Sequence, residues 1–265
     1  MKILFINPPF LSEVGKFSRE QRSPAVTKSG TFYYPMWLCY TAGALEKDGH
    51  EITLIDAPAK RMNSNDIIQK VKNYRYDIVV IDTSTPSIYN DYQFCLKLKE
   101  YLDAFSVFVG PHVSALPEET LRMGDGIDAV ARGEYDYTIK DLAKCIDSNG
   151  KYNLTNLKNI EGLSFKWNQK TYHNIERNNN HNLDDLPFVS KIYKKHLNYK
   201  DYFYSHSKYP ILTIVTGRGC PHKCVYCVYP QVFFGKKVRY RSIKNVIDEI
   251  DYIHINFPDI KEIMF

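Results

Sequence analysis

Five short apolar runs recur between residues 2 and 131, each too short to be a helix: Lys2-Ile3-Leu4-Phe5-Ile6, then 51–56, 77–82, 107–109 and 128–131. None alternates cleanly between apolar and polar residues, so each reads as a strand buried on both faces. Stretches of helical periodicity separate them: 35–47, stopped by Asp48-Gly49, then 66–74, 88–102, 117–123 and 135–147, with Gly150 behind the last. Strands that alternate with helices in this way argue for an α/β fold, a Rossmann-like five-stranded doubly wound parallel sheet over residues 1–150.

In such sheets ligands bind outside the carboxyl ends of the strands. Asn7, Thr83-Ser84-Thr85, Gly110-Pro111-His112 and Gly133-Glu134 all fall there. Any one of them could be an ordinary turn residue, but their shared edge favours a ligand. The loop from Asn7-Pro8-Pro9 to about Tyr34 is long enough to be functional. No G-x-G-x-x-G follows the first strand, which speaks against a dinucleotide. The acidic cluster of a receiver domain is missing from that strand's end, where Asn7-Pro8-Pro9 stands.

Residues 151–210 change character, with Asn178-Asn179-Asn180, a hairpin signal at Asn168-Gln169 and the run Leu183-Asp184-Asp185-Leu186-Pro187-Phe188. They read as a connector with a little β structure, and the lysines between 191 and 200 as a solvated face. A second domain is expected over 211–265. Ile211-Leu212-Thr213-Ile214-Val215 is its first strand, Ser242 caps a helix carrying Ile243, Val246, Ile247, Ile250 and Ile253, and 260–265 is the next strand.

Between those strands lies Gly217-Arg218-Gly219-Cys220-Pro221-His222-Lys223-Cys224-Val225-Tyr226-Cys227, which places three thiols within eight residues. Cys39, Cys95 and Cys145 stand apart, so the six cysteines are no disulfide framework and suit a reducing, cytoplasmic setting. The first apolar run is too short for a signal-peptide core, and no run approaches a membrane span. The formal charge of +5, from 35 basic and 30 acidic residues spread along the chain, gives no argument for nucleic acid.

Thiolates are soft ligands that hold zinc or iron-sulfur clusters. Zinc could take His222 as a fourth ligand, although His222 lies between two of the cysteines and no second C-x-x-C pair exists in the chain. A cubane cluster held by three cysteines would keep one iron open for a chelating molecule.

The C-x-x-x-C-x-x-C loop after a strand, with Tyr226 before its last cysteine, resembles the radical S-adenosylmethionine (SAM) enzymes. Asn7-Pro8-Pro9, Gly49-His50-Glu51, Gly110-Pro111-His112, Gly133-Glu134 and Leu183-Asp184-Asp185-Leu186-Pro187, in this order ahead of the cysteines, resemble the cobalamin-binding branch of that family, the class B methyltransferases and anaerobic ring cyclases. The resemblance implies that Cys220, Cys224 and Cys227 ligate a 4Fe-4S cluster, that SAM chelates the fourth iron, and that Tyr226 packs by its adenine. Reductive cleavage of SAM would then yield a 5'-deoxyadenosyl radical. It implies cobalamin on the carboxyl edge, near Asn7, Thr83, Ser84, Gly110, Pro111, His112, Gly133 and Glu134. The D-x-H-x-x-G motif that supplies histidine to cobalt elsewhere is absent, so cobalamin is expected base-off without that ligand.

The implied reaction is methylation of an unactivated carbon in a small-molecule substrate, with an external electron donor such as flavodoxin or ferredoxin. Radical cyclisation or rearrangement is the alternative within the family. After Cys227 the chain runs only to Phe265, whereas (β/α) barrels need on the order of 200 residues. Residues 211–265 are therefore expected to form only the start of a radical SAM partial TIM barrel, and a non-catalytic cobalamin- or zinc-binding module stays open as a further reading.

Overall fold

The computed structural model describes residues 1–20, 24–146 and 152–265. In chain order the elements are β1 (Lys2–Asn7), the small ladder β2 (Phe17–Ser18) and β3 (Ala25–Val26), α1 (Met36–Lys47), β4 (Glu51–Asp56), α2 (Ser64–Val71), β5 (Ile78–Asp82), α3 (Ile88–Lys99) and β6 (Phe105–Val109). There follow α4 (Pro111–Ala115), α5 (Pro117–Arg122), β7 (Ala129–Ala131), α6 (Asp136–Cys145), α7 (Leu154–Lys158), β8 (Leu163–Trp167), β9 (Lys170–His173) and α8 (Val189–His196). The last part holds β10 (Ile211–Thr213), β11 (Gly217–Arg218), β12 (Arg239–Tyr240), α9 (Ile243–Asn256) and β13 (Glu262–Met264). The expected helix stop at Gly150 lies outside the described residues.

The main sheet has seven strands rather than five, in the order β4-β1-β5-β6-β7-β8-β9. β4, β1, β5, β6 and β7 are parallel, as the apolar runs require, and β8 and β9 add an antiparallel hairpin at the β7 edge. The connector thus contributes two strands to the first sheet. Leu163 and Phe165 are buried against it, and the hairpin covers the ladder groups that β7 would otherwise expose. Asn168 and Gln169 turn that hairpin with φ of 46° and 62°, the left-handed pair a two-residue hairpin turn demands.

Alternate residues of each central strand face opposite sides. Ile3, Phe5, Ile78, Val80, Val107 and Val109 join one apolar cluster with α1, α6 and α8, while Leu4, Ile6, Val79, Ile81 and Phe108 join another with α2 and α3. The first cluster runs on without a break to Ile211, Leu212, Ile214, Phe233, Ile253 and Phe257. Residues 211–265 therefore share the core of the first sheet.

β10 and β13 form a parallel two-stranded ladder joined through α9, and β11 pairs antiparallel with β12. Ser242 caps α9 by accepting the Asn245 N–H at 3.1 Å, as its place in the sequence predicts. Two parallel strands neither curve nor close, so among the described residues, 211–265 hold one βαβ unit and not a barrel. Leu183-Asp184-Asp185-Leu186-Pro187 bridges the two parts: Lys47 Nζ donates to Asp185 O at 2.8 Å, and Ser242 N donates to Asp184 Oδ1 at 2.9 Å.

Candidate cofactor site at the carboxyl edge

After β1 the chain goes to β4 on one side, and then crosses to β5 on the other. The crevice between the ends of β1 and β5 is the switch point where doubly wound sheets place ligands. Asn7, Asp56 and Asp82 end three neighbouring strands, and all three are buried. Asn7 Nδ2 donates to Asp56 Oδ1 at 2.9 Å, and Tyr202 O–H donates to Asp56 Oδ2 at 2.7 Å. Burial pushes the Asp56 carboxyl up to about 6, against the pull of those bonds.

Arg19 reaches in from the long loop after β1. Its Nη1 donates to Asn7 Oδ1 at 2.6 Å and to Pro8 O at 2.9 Å, and its Nη2 pairs with Asp91 of α3, which also accepts from Ser87 Oγ at 2.6 Å. The loop is thus fastened onto the sheet edge by a buried ion pair. Asp82 has no comparable arrangement. Its Oδ2 is buried with no hydrogen-bond partner among the described residues, and burial pushes its carboxyl up to about 7 despite nearby Arg19.

Thr83 and Ser84 follow β5, and their hydroxyls serve the fold: Thr83 Oγ1 donates to Val109 O at 2.7 Å, and the Ser84 and Ser87 hydroxyls lie 2.8 Å apart. Gly110 has φ of 115°, and a Cβ there would stand 2.3 Å from Thr83 O, so only glycine lets β6 end this close to β5. Pro111 and His112 do not continue a loop, because Pro111 opens α4 from its first position. His112 is buried with Nδ1 3.2 Å from Thr85 Oγ1, and burial holds its pKa below the ordinary histidine value. Gly133 N donates to Ser114 Oγ at 2.9 Å.

Glu134 turns away from this crevice toward the base of the cysteine loop. Arg218, two residues before Cys220, donates to Glu134 Oε2 at 3.1 Å and to Asp136 Oδ2 at 2.5 Å. Its guanidinium also lies 5.1 Å from the Trp37 ring centroid and 5.0 Å from that of Tyr40, both on α1. Arg239, opposite Arg218 in the β11–β12 ladder, pairs with the same Glu134 carboxylate. Sequence reading picks out Glu134 but not Arg218, Arg19, Asp56 or Asp82. The two aspartates carry a visible signal, a carboxylate ending an apolar strand at the position Asn7 holds in β1.

The cysteine loop is a tight turn in which Cys227 N donates to Cys224 O at 3.2 Å, and Cys220 N donates to Gly235 O at 3.3 Å. All three thiols are free and half-buried, while Tyr226 is exposed. Among the described residues no three His, Cys, Asp or Glu side chains converge to hold a metal ion, so the thiols are gathered on one loop without yet meeting at one centre. A π-helical turn follows at Tyr229–Phe233, and Phe233 is buried 5.9 Å from the Tyr135 ring and 6.1 Å from that of Trp37. This turn lies over the β7 end of the sheet edge.

The donor set fits a thiolate-held cluster, with three free soft ligands on an accessible loop. The edge fits a large polar ligand, since it carries a buried carboxyl oxygen at Asp82 with no partner among the described residues and a close-approach glycine at Gly110.

The B12 binding domain family matches residues 22–143. The chain is 34% identical over 266 residues to an uncharacterized methyltransferase of Pyrococcus horikoshii, covering 100% of this chain and 53% of that protein. It is 24% identical over 253 residues to an anaerobic magnesium-protoporphyrin IX monomethyl ester cyclase of Cereibacter sphaeroides, covering 95% of this chain and 38% of that one. In fold it is similar to the radical SAM methyltransferase TsrM of Kitasatospora setae, solved with cobalamin and a [4Fe-4S] cluster bound. That match has a TM-score of 0.66 at 16% identity, over 96% of this chain and 47% of TsrM. The chain thus spans about half the length, or less, of the proteins it matches. The match to the Pyrococcus protein runs over the whole chain, the cysteine loop included. No helix among the described residues is long and apolar enough to cross a membrane.

Proposed function

We propose that this chain serves a cobalamin-dependent radical SAM reaction, most simply methylation of an unactivated carbon in a small-molecule substrate. One observation carries the reading: Arg218 and Arg239 tie the base of the cysteine loop to Glu134 and Asp136, at the carboxyl edge of the B12-binding domain. When bound, the cluster with SAM supplies a 5'-deoxyadenosyl radical, and cobalamin supplies a methyl group.

The chain's own residues then have separable tasks. Cys220, Cys224 and Cys227 hold the cluster, with Tyr226 beside the SAM adenine. Asn7, Thr83, Ser84, Gly110, Pro111, His112 and Gly133 shape the edge that receives the corrin. Glu134 orients the cysteine loop through Arg218. An electron must come from outside the chain, and flavodoxin or ferredoxin in the cytoplasm is the donor class that suits.

Anaerobic reconstitution with iron and sulfide tests the reading. A brown protein whose electron paramagnetic resonance signal changes on adding SAM supports it, and a colourless protein with stoichiometric zinc overturns it. Similarity to the ring cyclase favours a second reading, radical cyclisation. Product mass separates the two, since only methylation adds a methyl group.

A further inference from the structure

A cleft of about 340 Å³ opens between the loop after β7 and the segment after the cysteine loop. Its walls carry a charge that the proposed function does not use. Arg132, Arg177, Lys236, Lys237 and Arg239 line it, against the carboxylates of Glu134 and Glu176. Glu134 is already neutralised by Arg218 and Arg239, and Arg177 is paired with Asp141 at 2.5 Å. Among the described residues lining the cleft, Arg132, Lys236 and Lys237 are left with Glu176 as the remaining carboxylate.

Arg132 is also short of acceptors. Its Nη2 donates to Asn174 O, but its Nε is buried with no partner among the described residues. A buried guanidinium N–H without an acceptor is costly, and an anion is the group that satisfies it best. Among the described residues Lys237 Nζ makes one long hydrogen bond, to Asn180 Oδ1 at 3.4 Å. Asn178 and Asn179 add amide donors to the same wall, and nothing stands within 4 Å of where a Cβ on Gly235 would be, so the mouth is open.

We propose that this cleft binds the oxyanion, a phosphate or a carboxylate, of a small molecule, held by Arg132, Lys236 and Lys237. Its volume lies at the lower end of the range of small-molecule pockets. Two sources share this chemistry: the phosphodiester of cobalamin's nucleotide tail, and an oxyanion on the substrate.

The first arm of the test needs neither cofactor. The purified chain is titrated calorimetrically with inorganic phosphate at low ionic strength. Saturable binding is expected, weakened about tenfold or more in Lys236→Ala/Lys237→Ala and in Arg132→Gln. Lys70→Ala, an exposed position on α2, should leave it unchanged. Both cleft lysines are exposed, so the double variant keeps the fold, which circular dichroism checks. Absence of binding to the unmodified chain, or equal affinity in all variants, overturns the proposal.

The second arm rests on the cobalamin reading and compares retention of cobalamin with that of cobinamide, which lacks the phosphodiester. If Lys236→Ala/Lys237→Ala abolishes a preference for cobalamin, the tail fills the cleft. If the preference persists while phosphate affinity falls, the oxyanion belongs to the substrate. Failure of both corrinoids to bind would remove the cobalamin reading, and the phosphate result would still stand.

Discussion

Arg218 Nη1 lies 2.5 Å from Asp136 Oδ2 across 82 residues of sequence, and the pair is almost fully buried. Removing the cation would leave Asp136 as an uncompensated buried carboxylate, while Glu134 keeps Arg239, and stranding one buried charge typically costs about 3–5 kcal/mol. Arg218→Met keeps most of the side-chain volume against Trp37 and Tyr40 and should show that loss in urea denaturation. Adding Asp136→Asn should recover part of it. Hydrogen exchange should also show the β11–β12 ladder opening more often. An Arg218→Met protein within 1 kcal/mol of the original would mean the ion pair does not hold the cysteine loop in place.

Gly110 joins two constraints, a left-handed φ of 115° and Thr83 O at 2.3 Å from any added Cβ. Gly110→Ala should therefore destabilise by at least about 3 kcal/mol, the sum of backbone strain and overpacking. Gly49 has φ of 87° but nothing within 4 Å, so Gly49→Ala should cost only about 1 kcal/mol. Thermal unfolding of the two variants side by side checks the contrast, and equal losses would show that the close approach at Gly110 relaxes freely.

The parallel strands were legible because Ile3 to Ile6, Ile78 to Ile81 and Val107 to Val109 are apolar on both faces, a pattern few other structures tolerate. The cysteine spacing was legible for the same reason, since it is local. β8 was not, because Ser164 and Lys166 dilute its pattern and its place depends on the open edge of β7. α4 was hidden by reading Gly110-Pro111 as a turn, although proline is at home in the first turn of a helix. Arg19 and Asp91 lie 72 residues apart, and nothing near either residue announces the other. Arg218 is the same case: its neighbours in sequence suggest a loop, and its partners arrive only with the fold.

Asp82 gives a pH dependence whose sign can be worked out. Its folded pKa, about 7, lies above the 3.8 of a free aspartate, so the native state holds this proton more tightly than the unfolded chain does. The resulting stabilisation is full below about pH 4 and is lost as pH rises to 7, at up to about 1.4 kcal/mol per pH unit. Asp56, raised to about 6, acts in the same direction. Asp82→Asn cannot ionise, so it should be more stable than the original chain at pH 8 and show a flatter profile between pH 5 and 7. Urea midpoints across that range check this, and parallel profiles for the two proteins would place the Asp82 titration outside the window.

His112 separates a cofactor contact from a purely structural ring. Its Nδ1 is engaged with Thr85 Oγ1 at 3.2 Å, and burial keeps the imidazole neutral near pH 7, so it would meet a corrin as an uncharged, oriented ring. If it touches the cofactor, His112→Ala should lose bound cobalamin on gel filtration while its unfolding midpoint falls only slightly. Thr85→Val removes the hydroxyl that orients the ring but leaves the ring itself, and should weaken retention less. Retention equal to that of the unmodified chain in both variants, with only the midpoint changed, would assign His112 to the packing of α4 and remove it from the corrin edge.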